Sequence, residues 1–174
     1  LQIINDFVGA PIWALNDTHL FVSSCQILDN GGGYIKAIMK IRLPDIEHIE
    51  TLDLFEQVGL GTFDAAAATA NQLFLIENYS HNVIVVDLAA EGGMTLQSVW
   101  GETWLRWPAG IAVHNNVVII ADCCGISTSP DYQEQEPYQE QEPCLHVCTT
   151  EGVRLRSITG FFNPCNLVIA GGRL

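Results

Sequence analysis

Six cysteines are the first residues of this chain with chemistry to offer: Cys25, Cys123, Cys124, Cys144, Cys148 and Cys165, an even set crowded into the second half. Cys144-x-x-x-Cys148 lacks the Cys-x-x-Cys spacing of a zinc ribbon, and no histidine follows at finger spacing. Disulfides are the expectation, ahead of buried free thiols, because two N-glycosylation acceptors accompany the cysteines, at Asn16-Asp17-Thr18 and Asn78-Tyr79-Ser80. Together they point to an extracellular or secretory-pathway protein carrying N-glycans. A bridge from Cys123 or Cys124 to Cys144 would close a loop of about 20 residues and stabilise the fold by roughly 3 kcal/mol in the chain-entropy model. The pairing itself is left open by the sequence.

Catalytic groupings are harder to find. His19, His48, His81, His114 and His146 are dispersed, with no i, i+4 or His-x-His pattern, so metal ligation and general-base work are not their expected roles. Asp87 and Asp122 close strand-like runs, where aspartates commonly accept turn hydrogen bonds. No nucleophile elbow, phosphate loop or Ser/His/Asp order is visible, and Gly31-Gly32-Gly33 has no helix behind it to hold a phosphate. Trp13, Trp100, Trp104 and Trp107 read as packing residues rather than a carbohydrate platform. No catalytic residue, metal ligand or cofactor is assigned. The tandem hexads Tyr132-Gln-Glu-Gln-Glu-Pro137 and Tyr138-Gln-Glu-Gln-Glu-Pro143 are identical and unable to bury a core. They form either a solvated loop grown by duplication or an acidic recognition strip. In the second case Tyr132 and Tyr138 contact a partner while Glu134, Glu136, Glu140 and Glu142 attract cations.

Composition narrows the partners. Lys plus Arg is 7 and Asp plus Glu is 20, a formal charge of −13, and a surface this negative repels nucleic-acid phosphate and anionic membranes. Charged residues are only 16% of the 174, against about 25% in typical soluble domains, so uncharged polar groups, glycans or other protein must cover the surface. The longest apolar runs, such as Val83–Val86 and Val117–Ala121, are strand-sized, far short of the ~20 residues of a membrane helix. No signal peptide is visible at Leu1, as in a mature product or a fragment.

The elements that must position these residues are strands. Apolar and β-branched runs recur between Gly, Asn, Asp and Pro, without long helical periodicity; even Ala65–Ala68 reads as strand. Three segments end alike, at Glu56-Gln57-Val58-Gly59, Gln97-Ser98-Val99-Trp100-Gly101 and Arg156-Ser157-Ile158-Thr159-Gly160. The spacing is 42 residues from Gly59 to Gly101, and 40 from Gly101 to Gly160 once a 19-residue insertion at 125–143 is removed. A period near 40 with four strands per unit is the signature of a propeller blade. The expected strands are Ile12–Leu15, His19–Ser23, Ala37–Leu43 and His48–Leu54 in the first unit, and Phe63–Thr69, Gln72–Glu77, Asn82–Leu88 and Met94–Trp100 in the second. The third gives Gly110–His114, Val117–Asp122, Cys144–Thr149 and Val153–Thr159. Each unit opens on small residues, as in Ala65-Ala66-Ala67 and Gly110-Ile111-Ala112, which suits strands crowded about an axis.

Trp107-Pro108-Ala109-Gly110-Ile111-Ala112-Val113, Val118-Ile119-Ile120-Ala121-Asp122 and Val153-Arg154-Leu155-Arg156-Ser157-Ile158 together resemble the NHL repeat of six-bladed propellers. The run from Leu75 to Asp87 resembles its central hairpin. The likeness covers the second and third units well and the first poorly, and Cys123-Cys124 with the insertion replace the short polar turn in the third. The resemblance implies an all-β, incomplete β-propeller of four-stranded antiparallel blades: blade 1 at 12–59, blade 2 at 60–101 and blade 3 at 102–160. Residues 1–11 read as the last strand of a preceding blade and 161–174 as the first strand of a following one.

Three blades and two lone strands cannot close a ring of 4 to 8, and unsatisfied strand edges bind other strands. The gap is filled by the remainder of a longer chain, by a second protomer in a head-to-tail ring or filament, or by another protein. The expected function is a secreted, non-enzymatic module for protein binding or self-assembly. The alternative is a fragment of a metal-dependent propeller lyase or hydrolase, for which a calcium ion in the axial channel is conceivable.

Overall fold

The computed structural model describes residues 13–27, 34–43, 47–54, 58, 63–77, 80–123, 142–162, 164, 165 and 167. They form twelve strands: β1 (Trp13–Leu15), β2 (His19–Ile27), β3 (Tyr34–Arg42), β4 (Glu47–Asp53), β5 (Phe63–Ala68), β6 (Gln72–Glu77), β7 (Asn82–Asp87), β8 (Thr95–Trp100), β9 (Pro108–His114), β10 (Val117–Asp122), β11 (Cys144–Thr149) and β12 (Arg154–Ile158). These build three four-stranded antiparallel sheets, β1–β4, β5–β8 and β9–β12, each ordered as in the chain. The all-β expectation and the four-strand unit are both met. β6, β10 and β11 carry the expected limits. The largest departure is the β2–β3 hairpin, which pairs Ser24, Cys25 and Gln26 with Ala37, Lys36 and Ile35. Pairing with Ile35–Ala37 carries polar Ser24-Cys25-Gln26, which reads as loop in isolation, into the ladder.

Two hydrophobic clusters show how the sheets stack. The first joins Phe21, Ile38 and Leu52 of sheet 1 to Leu73, Leu75, Ile84 and Val86 of sheet 2. The second joins Phe74, Ile76, Val83 and Val85 of sheet 2 to Ile111, Val118 and Ile120 of sheet 3. Successive strand residues point to opposite faces, so β6 and β7 send alternate side chains into different clusters. That is why both read as unbroken apolar runs instead of alternating ones. Sheet 2 is covered on both faces.

The first strands lie together: β5 contacts both β1 and β9. Ala65 and Ala67 pack on the second cluster while Ala66 and Ala68 pack on the first, so methyl-sized side chains let neighbouring sheets approach from both sides. A further repeat was not visible in the sequence. The pairing of third with fourth strand shifts at an irregularity in all three sheets, at Lys40/Ile41, Val85/Val86 and Val147/Cys148. Such bulges sharpen local twist. The β9–β10 hairpin turns on Asn115 and Asn116, both at positive φ (49° and 61°), as a two-residue turn matched to strand twist requires.

The lone strand expected at 1–11 lies outside the described residues. Of the one expected over 161–174, the described Phe161, Phe162, Pro164, Cys165 and Leu167 are not in strand.

Candidate functional site

The tightest cluster of chemically active side chains crosses sheet 3. Asp122 closes β10, His146 sits in β11 and Ser157 in β12; the ladder places His146 opposite both Ile120 and Ser157. His146 Nδ1 is 2.8 Å from Ser157 Oγ, and its Nε2 is 3.3 Å from Asp122 Oδ2. A carboxylate only accepts, so the neutral ring carries its proton on Nε2 and takes the Ser157 O–H on Nδ1. Asp122 also accepts the Arg106 N–H on Oδ2 at 3.0 Å and the Trp107 N–H on Oδ1 at 2.7 Å. Burial alone would raise its pKa. The hydrogen bonds from His146, Trp107 and Arg106 outweigh burial and hold the carboxyl below its ordinary range.

Trp104 meets the His146 ring edge-on, at 5.0 Å and 88°. Its other neighbours are Trp100, stacked at 6.2 Å, and the Arg154 guanidinium, 5.2 Å from the ring centroid. The Cys144 Sγ is 3.4 Å from His146 Nε2. Chemically, the arrangement polarises a serine hydroxyl toward an imidazole. Mechanically, it ties the segment from Arg106 to Trp107, which leads into sheet 3, to the end of three strands of that sheet. The sequence hid it because the residues lie 24 and 11 positions apart and become neighbours only through the ladder. Asp87, which closes the third strand of sheet 2, accepts a local hydrogen bond from the Ala89 N–H at 2.8 Å.

Other expected residues are dispersed. Asn16 sits in the β1–β2 turn: its Oδ1 accepts from the N–H groups of Thr18 (3.1 Å) and His19 (2.8 Å), and its Nδ2 donates to the Thr69 carbonyl at 3.1 Å. Asn78 lies outside the described residues, as do Tyr132, Glu134, Glu136, Tyr138 and Glu140; Glu142 is exposed. Cys148 and Cys165 are free thiols, and Cys123 and Cys144 are buried. Cys148 is spent as a small apolar side chain in the second cluster, and the Cys123 thiol donates to the Pro164 carbonyl. Cys124 and the side chain of Cys25 are outside the described set. Among the described residues, no group of three or more His, Cys, Asp or Glu side chains could hold a metal ion. Trp100 and Trp104 do pack on the core, whereas Trp107 is 46% exposed.

A second feature is the outward face of each end sheet. On sheet 1, away from sheet 2, the ladder pairs Leu20 with Ile41 and Val22 with Met39. On sheet 3, away from sheet 2, it aligns Ala121 with Leu145 and Ile158, and Ile119 with Val147. None of these side chains belongs to either cluster. Ala121, Leu145, Val147 and Val22 are nevertheless buried, so these apolar rows are covered within the chain, except at Ile158, and are not open to solvent. Beside the sheet 3 face, Val153, Leu155, Phe161 and Phe162 are exposed, the last at 93%. Comparison with known proteins gives no match, neither to a family model nor to a curated sequence.

Proposed function

We propose that this chain is a non-enzymatic protein-binding module, a segment of an NHL-like β-propeller that works through the two open ends of its array. The supporting observation is the exposed apolar set at the sheet 3 end of the array, Val153, Leu155, Ile158, Phe161 and Phe162. Contact of β5 with both β1 and β9 suits blades fanned about an axis, and the repeated shift between third and fourth strands suits one repeating unit. Low charge and the two acceptor sequences support a secretory route for the module, with a surface shared between glycans and partners.

The Ser157–His146–Asp122 chain supports a second reading, a hydrolase with Ser157 as nucleophile. Against it, the hydrogen bond described for Ser157 Oγ is the one to His146, with no pair of N–H donors described at that oxygen, and catalysis of acyl transfer needs donors where the oxyanion forms. Treating the folded chain with a fluorophosphonate probe separates the readings. No adduct at Ser157 is expected, and an adduct that disappears in His146→Gln would replace the module with an enzyme. Imaging of the particle tests the architecture: sheets fanned about one axis are expected, and a flat layered stack would overturn it.

A further inference from the structure

Resting on that reading, we infer that the module takes its partner along the edge of β12, and that the partner is an extended, acidic segment of another protein that joins sheet 3 as a fifth strand. β12 ends its sheet: among the described residues β11 is its one neighbour in the ladder. Alternate residues along such a strand turn their N–H and C=O groups outward, ready to pair with another chain. A peptide laid there gains main-chain hydrogen bonds, and the side chains on either side of the edge select its sequence.

The outermost strands of the three sheets differ in what they expose. β4 buries Leu52, β8 half-buries alternate residues, and each exposes one large apolar side chain among its described residues, Ile49 and Val99. From Val153 to Phe162, by contrast, all ten residues are exposed, and Val153, Leu155, Ile158, Phe161 and Phe162 are large and apolar. Native edges are blunted by charge, proline or short length. Blunting accounts for Arg154 and Arg156 but not for the apolar side chains around them, which mark a surface that another chain covers.

Charge identifies the class of partner. After Glu151 the sequence carries Arg154, Arg156 and Arg173 and no acidic residue, although the chain has only 7 cationic residues and a net charge of −13. Glu151 itself is engaged in the turn, where it accepts the Thr150 hydroxyl at 2.8 Å. The Arg154 guanidinium lies 5.2 Å from the centroid of the Trp104 ring, and Arg156 makes no ion pair among the described residues. The ladder sets Arg154 opposite Cys148, which faces sheet 2, and Arg156 opposite Val147, which faces away from it. One arginine therefore stands on each side of the edge, and consecutive carboxylates of an added strand would meet both. The negative charge of the rest of the chain weighs little against this, because at physiological ionic strength charges are screened beyond about 8 Å. A second copy of β12 is a poor occupant, since pairing would bring arginines from both strands together.

A fluorescein-labelled dodecapeptide of repeating Glu-Glu-Val-Val, titrated with the full chain and followed by anisotropy, tests this. Saturable binding is expected, about tenfold tighter than that of the Lys-Lys-Val-Val peptide. Methylating alternate amide nitrogens of the acidic peptide removes its strand donors and should abolish binding. Arg156→Glu and Leu155→Asp should each weaken it about fivefold, with the circular dichroism of the chain unchanged. No binding of the acidic peptide, or binding that survives amide methylation or Arg156→Glu, overturns the proposal. So does a dimer in light scattering that Leu155→Asp dissociates, which would give the edge to a second copy. Any of these failures would leave the binding-module reading standing, since the fluorophosphonate and imaging experiments decide it separately.

Discussion

Gly152, at φ +84°, lies against the indole of Trp100, so that a β-carbon there would overlap the ring. The turn between β11 and β12 thereby seats on the outermost strand of the neighbouring sheet. Gly93, at φ +116°, takes the same place before β8, where Glu50 of sheet 1 crosses it and accepts the Met94 N–H. Each junction couples a backbone conformation that L side chains rarely adopt to a close approach between sheets.

Gly152→Ala is expected to cost about 2 kcal/mol, combining positive-φ strain with overlap on Trp100. Trp100→Leu alone removes packing, but in the Gly152→Ala background it relieves the overlap. The two changes should therefore cost less together than the sum of their separate costs. Urea melts of the four proteins check this, and strict additivity would mean the turn does not bear on the indole.

Much of this fold was legible in the sequence because β-meanders are local. β6 and β10 are apolar runs bounded by turn residues, and each pairs with its sequence neighbour, so period and punctuation sufficed. The Asp122–His146–Ser157 chain was not legible. Its members are ordinary residues of three strands, aligned only by a register that a bulge at Val147/Cys148 resets. The place of Cys148 was hidden for a related reason. Even number and nearby acceptor sequences speak to compartment, whereas the burial of Cys148 between sheets 2 and 3 depends on which face of β11 it occupies.

Asp122→Asn keeps the side-chain shape but turns an NH2 toward donors that need an acceptor. Leaving buried donors unsatisfied costs about 3 kcal/mol. Because the folded carboxyl sits below its ordinary value of 3.8, its contribution is complete above that value and is lost as pH falls through the folded pKa. Wild-type stability should drop in acid more steeply than that of Asp122→Asn. Parallel profiles would show that the carboxylate is not held by these bonds. Ser157→Ala, which removes one bond at an exposed strand, should cost about 1 kcal/mol.

The thiols should divide by burial. Cys165 is exposed and Cys148 is buried, so a thiol reagent should modify Cys165 first and Cys148 at the rate of unfolding. Burial raises the Cys148 thiol from 9.0 to about 11, with Arg154 opposing. The neutral form is thus favoured in the folded state. Stability should be undiminished below pH 9 and fall as pH rises toward 11. Cys148→Ala should flatten that alkaline limb while lowering stability at neutral pH through the lost packing. An unchanged limb would assign it to other groups.

Asn16 joins two sheets through one amide. Its Oδ1 caps the β1–β2 turn by accepting the Thr18 and His19 N–H groups, while its Nδ2 reaches Thr69 at the end of β5. Asn16→Asp keeps the acceptor and loses the inter-sheet donor, and should cost about 1 kcal/mol; Asn16→Ala loses both, and should cost about 2 kcal/mol. Both changes also delete the glycosylation acceptor, so Thr18→Ala is the control. It abolishes the sequon but leaves the Asn16 amide and the backbone N–H of residue 18 in place. Chains made in a secretory host and melted before and after glycosidase treatment separate the two roles. The Asp and Ala variants should rank as stated with or without glycan, and Thr18→Ala should stay near wild type after deglycosylation. Equal stability of Asn16→Asp and wild type would show that the bond to Thr69 does not hold sheet 1 on sheet 2.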